Sequence, residues 1–288
     1  MKRACVFVHY DKGNCIDPYV YGYLKAIKPF VDELIFVTTA LISNEDRVGV
    51  ETLGAVVICR ENIGYDFYSW KVGIASIDLS AFDELLQIND SCYAPLFNFS
   101  HIFEKMDKVD CDFWGITKSY EISTHLQSFF VCYRKSVLEN KEFQKFWINL
   151  DVIPDKMELI KSYEIGLSQL LLKNGFKMES FFKTPFKSYC IKFPRNFVRR
   201  VLGVKQMIRN PYQYIRGFFV SNPTHYYYQE MLKQKIPLIK IELIRDNPLR
   251  MPIENLRLVS GINKELLEQV VDHQLRVGST KYINQWVR

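Results

Sequence analysis

The chain has 288 residues, 48% of them hydrophobic and 24% charged, with a formal net charge of +6, which suits a globular protein of one large or two modest domains. No apolar run approaches the ~18–20 residues that a membrane-crossing helix needs, and the short apolar run near the start has no small-residue cleavage site of a secretory signal. The seven cysteines (Cys5, Cys15, Cys59, Cys92, Cys111, Cys132, Cys190) are odd in number and contain no CxxC pair, which argues against a full disulfide framework or a zinc site and for reduced thiols in a cytosolic protein.

In chain order, "ACVFVHY" (4–10) predicts a strand and "PYVYGYLKAIKPFV" (18–31) an amphipathic helix. "ELIFVTT" (33–39) predicts a second strand, "RVGVETLGA" (47–55) a short helix and "VVICR" (56–60) a third strand. The stretch "ENIGYDFYSW" (61–70) follows. Its turn formers Asn62 and Gly64 precede four aromatics, Tyr65, Phe67, Tyr68 and Trp70, with Asp66 among them. "YSWKVGIASI" (68–77) predicts a helix, and "ELLQIND" (84–90) a fourth strand that runs into the polar tip Asn89-Asp90-Ser91. Strands alternating with helices predict an α/β fold with a largely parallel sheet flanked by helices. Such sheets bind ligands beyond the carboxyl ends of their strands, where "ENIGYD" and "NDS" both fall.

No GxGxxG follows the first strand, and no GxxxxGK[ST], HExxH or GxSxG occurs. Dinucleotide-binding, P-loop, zinc-protease and serine-hydrolase signatures are thus absent. A nucleotide-binding α/β domain with a short acidic tip remains, the arrangement of a nucleotide-sugar transferase. There a strand-end carboxylate holds a divalent cation that neutralises the leaving diphosphate. Asp66 also reads as a cap of the following helix, and Asn89-Asp90-Ser91 as a plain turn.

Further on, "STHLQSFFVCY" (123–133) places His125 and Gln127 ahead of a strand. "SYEIGLSQLLLKNG" (162–175) predicts a helix closed by Gly175, with Glu164 in its first turn, where the helix dipole favours a carboxylate by about 0.3–1 kcal/mol. "HYYY" (225–228) supplies aromatics for stacking or for the core. "IKIELIRDNP" (239–248) predicts a strand and a turn. From Ser180 to Gln229 there is no Asp or Glu, while basic residues alternate with bulky apolar ones. That pattern describes a segment at an anionic lipid surface, although a nucleic-acid groove or a solvated basic face looks similar.

Seven of these stretches in order ("ENIGYDFYSWKVGI", "LLQINDSCYAPL", "DFWGIT", "HLQSFFVCYRKSV", "FQKFW", "YEIGLSQLLLKNG" and "NPTHYYYQEMLKQKIPLIKIELIRDNP") resemble the rhamnan synthesis protein F family of bacterial cell-wall and lipopolysaccharide O-antigen biosynthesis. The resemblance implies a GT-A-like catalytic domain over residues 1–185. A basic, mainly helical region over 186–288 would dock on the membrane surface and complete the donor and acceptor site. It implies a nucleoside diphosphate-sugar donor held by Asn62, Gly64, Tyr65, Asp66, Asn89, Asp90 and Ser91, with the aromatics as walls. Asp90 would hold Mg2+ or Mn2+, with His225 as a further metal contact; the D-x-D motif usual in GT-A enzymes is incomplete here, which leaves metal dependence open. Glu164 matches the general base of inverting enzymes. His125, Gln127, Tyr226, Lys240 and Arg245 would lie near the acceptor or the diphosphate.

The acceptor implied is a growing lipid-linked polysaccharide or O-antigen; the family's name suggests rhamnose as the sugar, while galactose, glucose or another sugar is equally compatible. The expected place is cytoplasmic, peripheral on the inner face of the cytoplasmic membrane through Arg195, Arg199, Arg200, Lys205 and Arg209, beside other polysaccharide-assembly enzymes. A non-catalytic protein that binds polysaccharide or nucleic acid through the same basic face is the alternative, with nucleic acid the less expected partner. Such a module needs neither Glu164 nor Asp90.

Overall fold

The computed structural model describes residues 1–120, 122–183, 222–253, 256–279 and 281. At its centre is a seven-stranded sheet of β1 (Arg3–His9), β2 (Glu33–Thr38), β3 (Ala55–Cys59), β4 (Glu84–Asn89), β6 (Phe113–Gly115), β9 (Phe130–Arg134) and β10 (Met178–Ser180), in the order β10-β6-β9-β4-β1-β2-β3. Two small ribbons flank it: β5 (Cys92–Tyr93) with β11 (Ile239–Lys240), and β7 (Lys118–Ser119) with β8 (His125–Leu126). In the sheet every strand but β9 runs the same way. Helices α1 (Pro18–Ile27), α2 (Asn44–Thr52) and α3 (Tyr65–Ala75) connect the first four strands. The fold is therefore the α/β class that the alternation predicts.

β1 reads RACVFVH and is buried along its whole length, because a strand covered on both faces is apolar at successive rather than alternate positions. Cys5 and Phe7 pack with Tyr23 and Leu24 of α1, while Ala4, Val6 and Val8 pack on the other face with Phe67, Trp70 and Ile74 of α3. α3 lies so close to β1 that a Cβ at Gly73 would stand 2.4 Å from Val6 Cγ1. The amino end of the sheet is locked by buried charge: Arg3 Nε donates to Glu84 Oε2 at 2.7 Å.

The chain passes from β1 to β2 and β3 on one side and returns on the other with β4. A crevice opens at such a reversal, between the carboxyl ends of β1 and β4, and ligands of open α/β sheets lie there. Asp90, just past β4, closes its floor by donating its backbone N–H to Val8 O at 3.2 Å.

Several elements differ from the sequence reading. The helix expected at 162–175 begins earlier, at Lys156, capped by Asp155, whose Oδ1 accepts from Glu158 N at 2.7 Å. It continues through a wide π turn at Ile160–Ile165 and ends at Lys173. Glu164 thus sits in the helix interior, and the first-turn dipole does not explain it. The strand expected at 239–248 is two residues long and gives way to a helix, Ile241–Arg245, because Ile241 N bonds Ser91 O at 3.1 Å and turns the chain. The helix expected at 47–55 is α2, set back by its Ser43 cap.

The expected boundary at residue 185 falls among residues outside the described set, as do Arg195, Arg199, Arg200, Lys205 and Arg209. Beyond it the described residues form short helices and the longer helix Lys264–Arg276. Met231, Leu243, Leu266 and Val270 of this part join Tyr23, Leu86 and Phe130 in one apolar cluster. Among the described residues no helix is long and apolar enough to cross a membrane.

Candidate active site

An open cleft of about 630 Å³ lies over the crevice. Its walls are Tyr10–Lys12 after β1, the amino end of α3, the tip after β4, helix 156–173, the segment Lys240–Arg245, and the end of helix Lys264–Arg276.

One wall is a chain of polar contacts. Gly64 and Tyr65 are both left-handed, with φ of 67° and 52°, and start α3 so that Asp66 enters the cleft. A side chain at residue 64 has no room, since its Cβ would lie 2.7 Å from Tyr68 Cβ. Asp66 Oδ2 accepts from Asn89 Nδ2 at 2.8 Å. Asn89 Oδ1 accepts from Ser91 N at 3.2 Å and from Ser91 Oγ at 2.5 Å. Lys240 Nζ donates to Ser91 Oγ at 2.8 Å and lies 4.5 Å from the centre of the Phe129 ring. Asp90 Oδ2 accepts from Tyr10 N at 2.9 Å.

Burial pushes the Asp90 carboxyl well above the usual carboxylate range, and the charge of Asp66 adds to it against backbone hydrogen bonds. Asp66 is also raised by burial, offset in part by the Asn89 hydrogen bond and the charges of Lys240, Lys156 and Arg60. Two carboxyl groups held against their ionised form in one cleft fit a divalent cation, which takes one or two carboxylates and fills the rest with phosphate and water oxygens. Asp11, Cys15 and Asp17 also converge, within 4.8 Å. Arg276 already answers those two carboxylates, with Nη2 2.6 Å from Asp11 Oδ2 and 2.5 Å from Asp17 Oδ2.

The other wall carries Glu164, its side chain 19% exposed. Glu164 Oε2 accepts from Ser128 N at 3.0 Å and from Ser128 Oγ. His125 Nε2 lies 3.6 Å from Glu164 Oε1, an ion-pair distance rather than a hydrogen bond. His125 Nδ1 is 2.7 Å from Ser123 O. Burial pushes the Glu164 carboxyl up, but His125 and Ser128 outweigh it, and the group ends below its ordinary value. It is a carboxylate at neutral pH that borders the cleft and is able to accept a proton.

Of the residues singled out in the sequence, Tyr65, Asp66, Asn89, Asp90, Ser91, Glu164, Lys240 and Arg245 line this one cleft. Asn62 and Gly64 build the turn without lining it. His125 is buried behind Glu164, and Gln127 ties Thr117 to Asn222 through contacts of 2.7 and 3.2 Å. Tyr226 is buried in the core, and His225 is buried with Nε2 3.6 Å from Oε2 of Glu242, which lines the cleft while His225 does not. The aromatics divide: Tyr65 and Phe67 border the cleft, while Trp70 is core and donates Nε1–H to Ile88 O at 3.0 Å. The sequence reading missed Tyr10, Asp11, Lys12, Tyr19, Lys156, Glu242 and His273, which also line it. The strand-end rule that found Asp90 applies equally after β1 and points to Tyr10–Lys12; nothing local marks the others.

The virulence protein VirA of Vibrio anguillarum is 29% identical over 211 residues, covering 68% of this chain and 64% of that protein, so the chain spans less than two thirds of the curated relative's length. Among solved structures, a cytidylyltransferase from Leptospira borgpetersenii aligns with 12% identity over 74% of this chain and 96% of its own, at a TM-score of 0.41. The glycosyltransferase GlyE of Streptococcus pneumoniae aligns with 13% identity over 73% and 51%, at a TM-score of 0.36. Residues 34–198 match the rhamnan synthesis protein F family, a span that holds the ENIGYD turn, the tip after β4 and Glu164. The chain belongs to the rhamnan synthesis protein F family.

Proposed function

We propose that the chain is a glycosyltransferase that moves a sugar from a nucleoside diphosphate-sugar to a hydroxyl of a glycan, with inversion. The observation that carries this is the pairing in one cleft of an ionised, hydrogen-bonded Glu164 with a phosphate-suited wall of Asp66, Asp90 and Lys240. Glu164 takes the proton from the acceptor hydroxyl. The acceptor oxygen forms a bond to the anomeric carbon, the opposite bond to the diphosphate oxygen breaks, and its electron pair leaves with the diphosphate. Lys240 and Arg245 offer positive charge to that group. A divalent cation held by Asp90, when bound, would supply further charge to the diphosphate.

The family's name supports rhamnose as the sugar and a bacterial surface polysaccharide, lipid-linked as it grows, as the acceptor. Peripheral attachment to the inner face of the cytoplasmic membrane through the basic stretch around Arg195–Arg209 fits that acceptor. The test is to incubate the protein with manganese, a panel of nucleoside diphosphate-sugars and lipid-linked acceptors, and to look for a glycan one sugar longer by mass. Transfer from one donor is expected. Binding of polysaccharide or nucleic acid without turnover of any donor would replace the reading with that of a binding protein.

A further inference from the structure

Arg60 follows β3, does not line the cleft, and is wholly engaged with the turn that does. Its Nη1 donates to Glu61 O and Ile63 O, both at 2.7 Å, and Nη2 to Tyr65 O at 2.8 Å. Nε and Nη2 also reach Ser69 Oγ in α3, at 2.9 and 2.6 Å, and the guanidinium lies 5.2 Å from the centre of the Tyr68 ring. One side chain therefore ties the end of β3, the carbonyls of the turn and the first turns of α3 into a single body.

The turn needs such a tie. Gly64 and Tyr65 are successive left-handed residues, and Tyr65 carries a side chain where L-residues are disfavoured. Such a conformation persists only where its surroundings over-determine it. Directly after it, Asp66 meets Asn89 at 2.8 Å, which sets its carboxylate beside the tip that bears Asp90. If Tyr65 relaxed into ordinary backbone, Asp66 would leave that register. A lysine in place of Arg60 keeps the charge but lacks the planar array of donors that serves several carbonyls and a hydroxyl at once.

We propose that Arg60 is a positioning residue of the donor site: it locks the left-handed turn so that Asp66 stays on Asn89 and, with Asp90, meets the diphosphate end of the donor. The proposal rests on the glycosyltransferase reading, and it acts through the turn, with no contact between Arg60 and substrate.

Two readouts separate the outcomes in full-length Arg60→Lys and Arg60→Ala proteins. One is amide hydrogen exchange at residues 61–66; the other is the dissociation constant for UDP, dTDP and GDP. Faster exchange confined to 61–66 is expected in both variants. Affinity for whichever nucleotide the wild type binds should fall about tenfold, equivalent to about 1.4 kcal/mol. Transfer efficiency should fall about 10²-fold, the penalty for a misplacement of roughly 1 Å. Added methylguanidine should restore part of the nucleotide affinity of Arg60→Ala. Should that variant fail to fold, Arg60→Lys decides alone. Unchanged exchange at 61–66, or faster exchange with wild-type nucleotide affinity, overturns the proposal and leaves the glycosyltransferase reading standing. A wild type that binds none of the nucleotides removes the reading and the proposal with it.

Discussion

Burial pushes the carboxyl groups of Glu164 and Asp90 in the same direction, toward the protonated form, and what faces each one decides the outcome. At Glu164, His125 and Ser128 win and the folded value falls below the unfolded one. Such a carboxylate stabilises the fold above its unfolded value, and that contribution is lost as pH falls through the folded value. It therefore gives up its proton more readily in the folded protein than in the unfolded chain, as a base must. Glu164→Gln is expected to cut transfer by about 10²-fold or more and to flatten the acid side of the pH–rate profile. Nucleotide affinity, measured by calorimetry, should be unchanged; normal turnover would leave the carboxylate a structural partner of Ser128. Asp90 is the reverse case. Its folded value lies above the unfolded one, so its contribution is present below the unfolded value and fades as pH rises toward the folded one. Asp90→Asn should then melt higher than the wild type at neutral pH without ligand, with the gain shrinking in acid. The same variant should lose manganese-dependent affinity for nucleoside diphosphates. A lower melting temperature at neutral pH would show that the carboxylate is not held against its preference.

Among the elements, α3 is the one whose placement sets the site, because Asp66 is in its first turn and its far side rests on β1. Gly73 is where the two backbones approach. Gly73→Ala would gain up to about 1 kcal/mol of helix propensity in a free helix. Here the added methyl meets Val6 Cγ1 at 2.4 Å and Val37 Cγ2 at 3.0 Å, so net destabilisation of about 1–3 kcal/mol by chemical denaturation is expected. Strands such as β1 were legible because burial on both faces leaves a nearly continuous apolar run, whereas the three-residue strands β6 and β10 were not. Helix 156–173 was legible only in its later half, since Lys156, Met157 and Glu158 are all exposed and show no buried face, and their helical state follows from the Asp155 cap. "IKIELI" alternates like a strand, yet the chain spends only Ile239–Lys240 on β5 and then coils. That turn is a tertiary event: Lys240 and the Ser91 it contacts are 149 residues apart. Asp90 and Glu164 were found from strand ends and from family likeness. Tyr19 and His273 could not be, because only the packing of distant segments brings them to the cleft.

At the scale of the molecule, charge is unevenly shared along the chain. The whole carries a net +6, while the stretch from Ser180 to Gln229 holds no acidic residue. Each Lys or Arg near an anionic leaflet contributes about 1 kcal/mol, and the effect fades within about 8 Å at physiological ionic strength. Cosedimentation with anionic vesicles at low salt, with release as salt rises, is therefore expected. Joint charge reversal at Arg195, Arg199 and Arg200 should abolish it and should harm transfer to a lipid-linked acceptor more than to a soluble analogue. Salt-dependent binding of DNA or RNA in place of vesicles, lost in the same variant, would assign the stretch to nucleic acid.

The clasp between Arg276 and the loop after β1 sets an order in time. Arg276 and Asp11 stand 265 residues apart in sequence. A ribosome that adds about 5–20 residues per second takes on the order of tens of seconds to cross that interval. During it, Asp11 and Asp17 lack the guanidinium that later sits between them. β1 can pair with β2 soon after both emerge, but this edge of the cleft waits until Arg276 has emerged. The nascent chain can thus hold a sheet before it holds a finished pocket, and the cleft is complete only once residue 276 has been made.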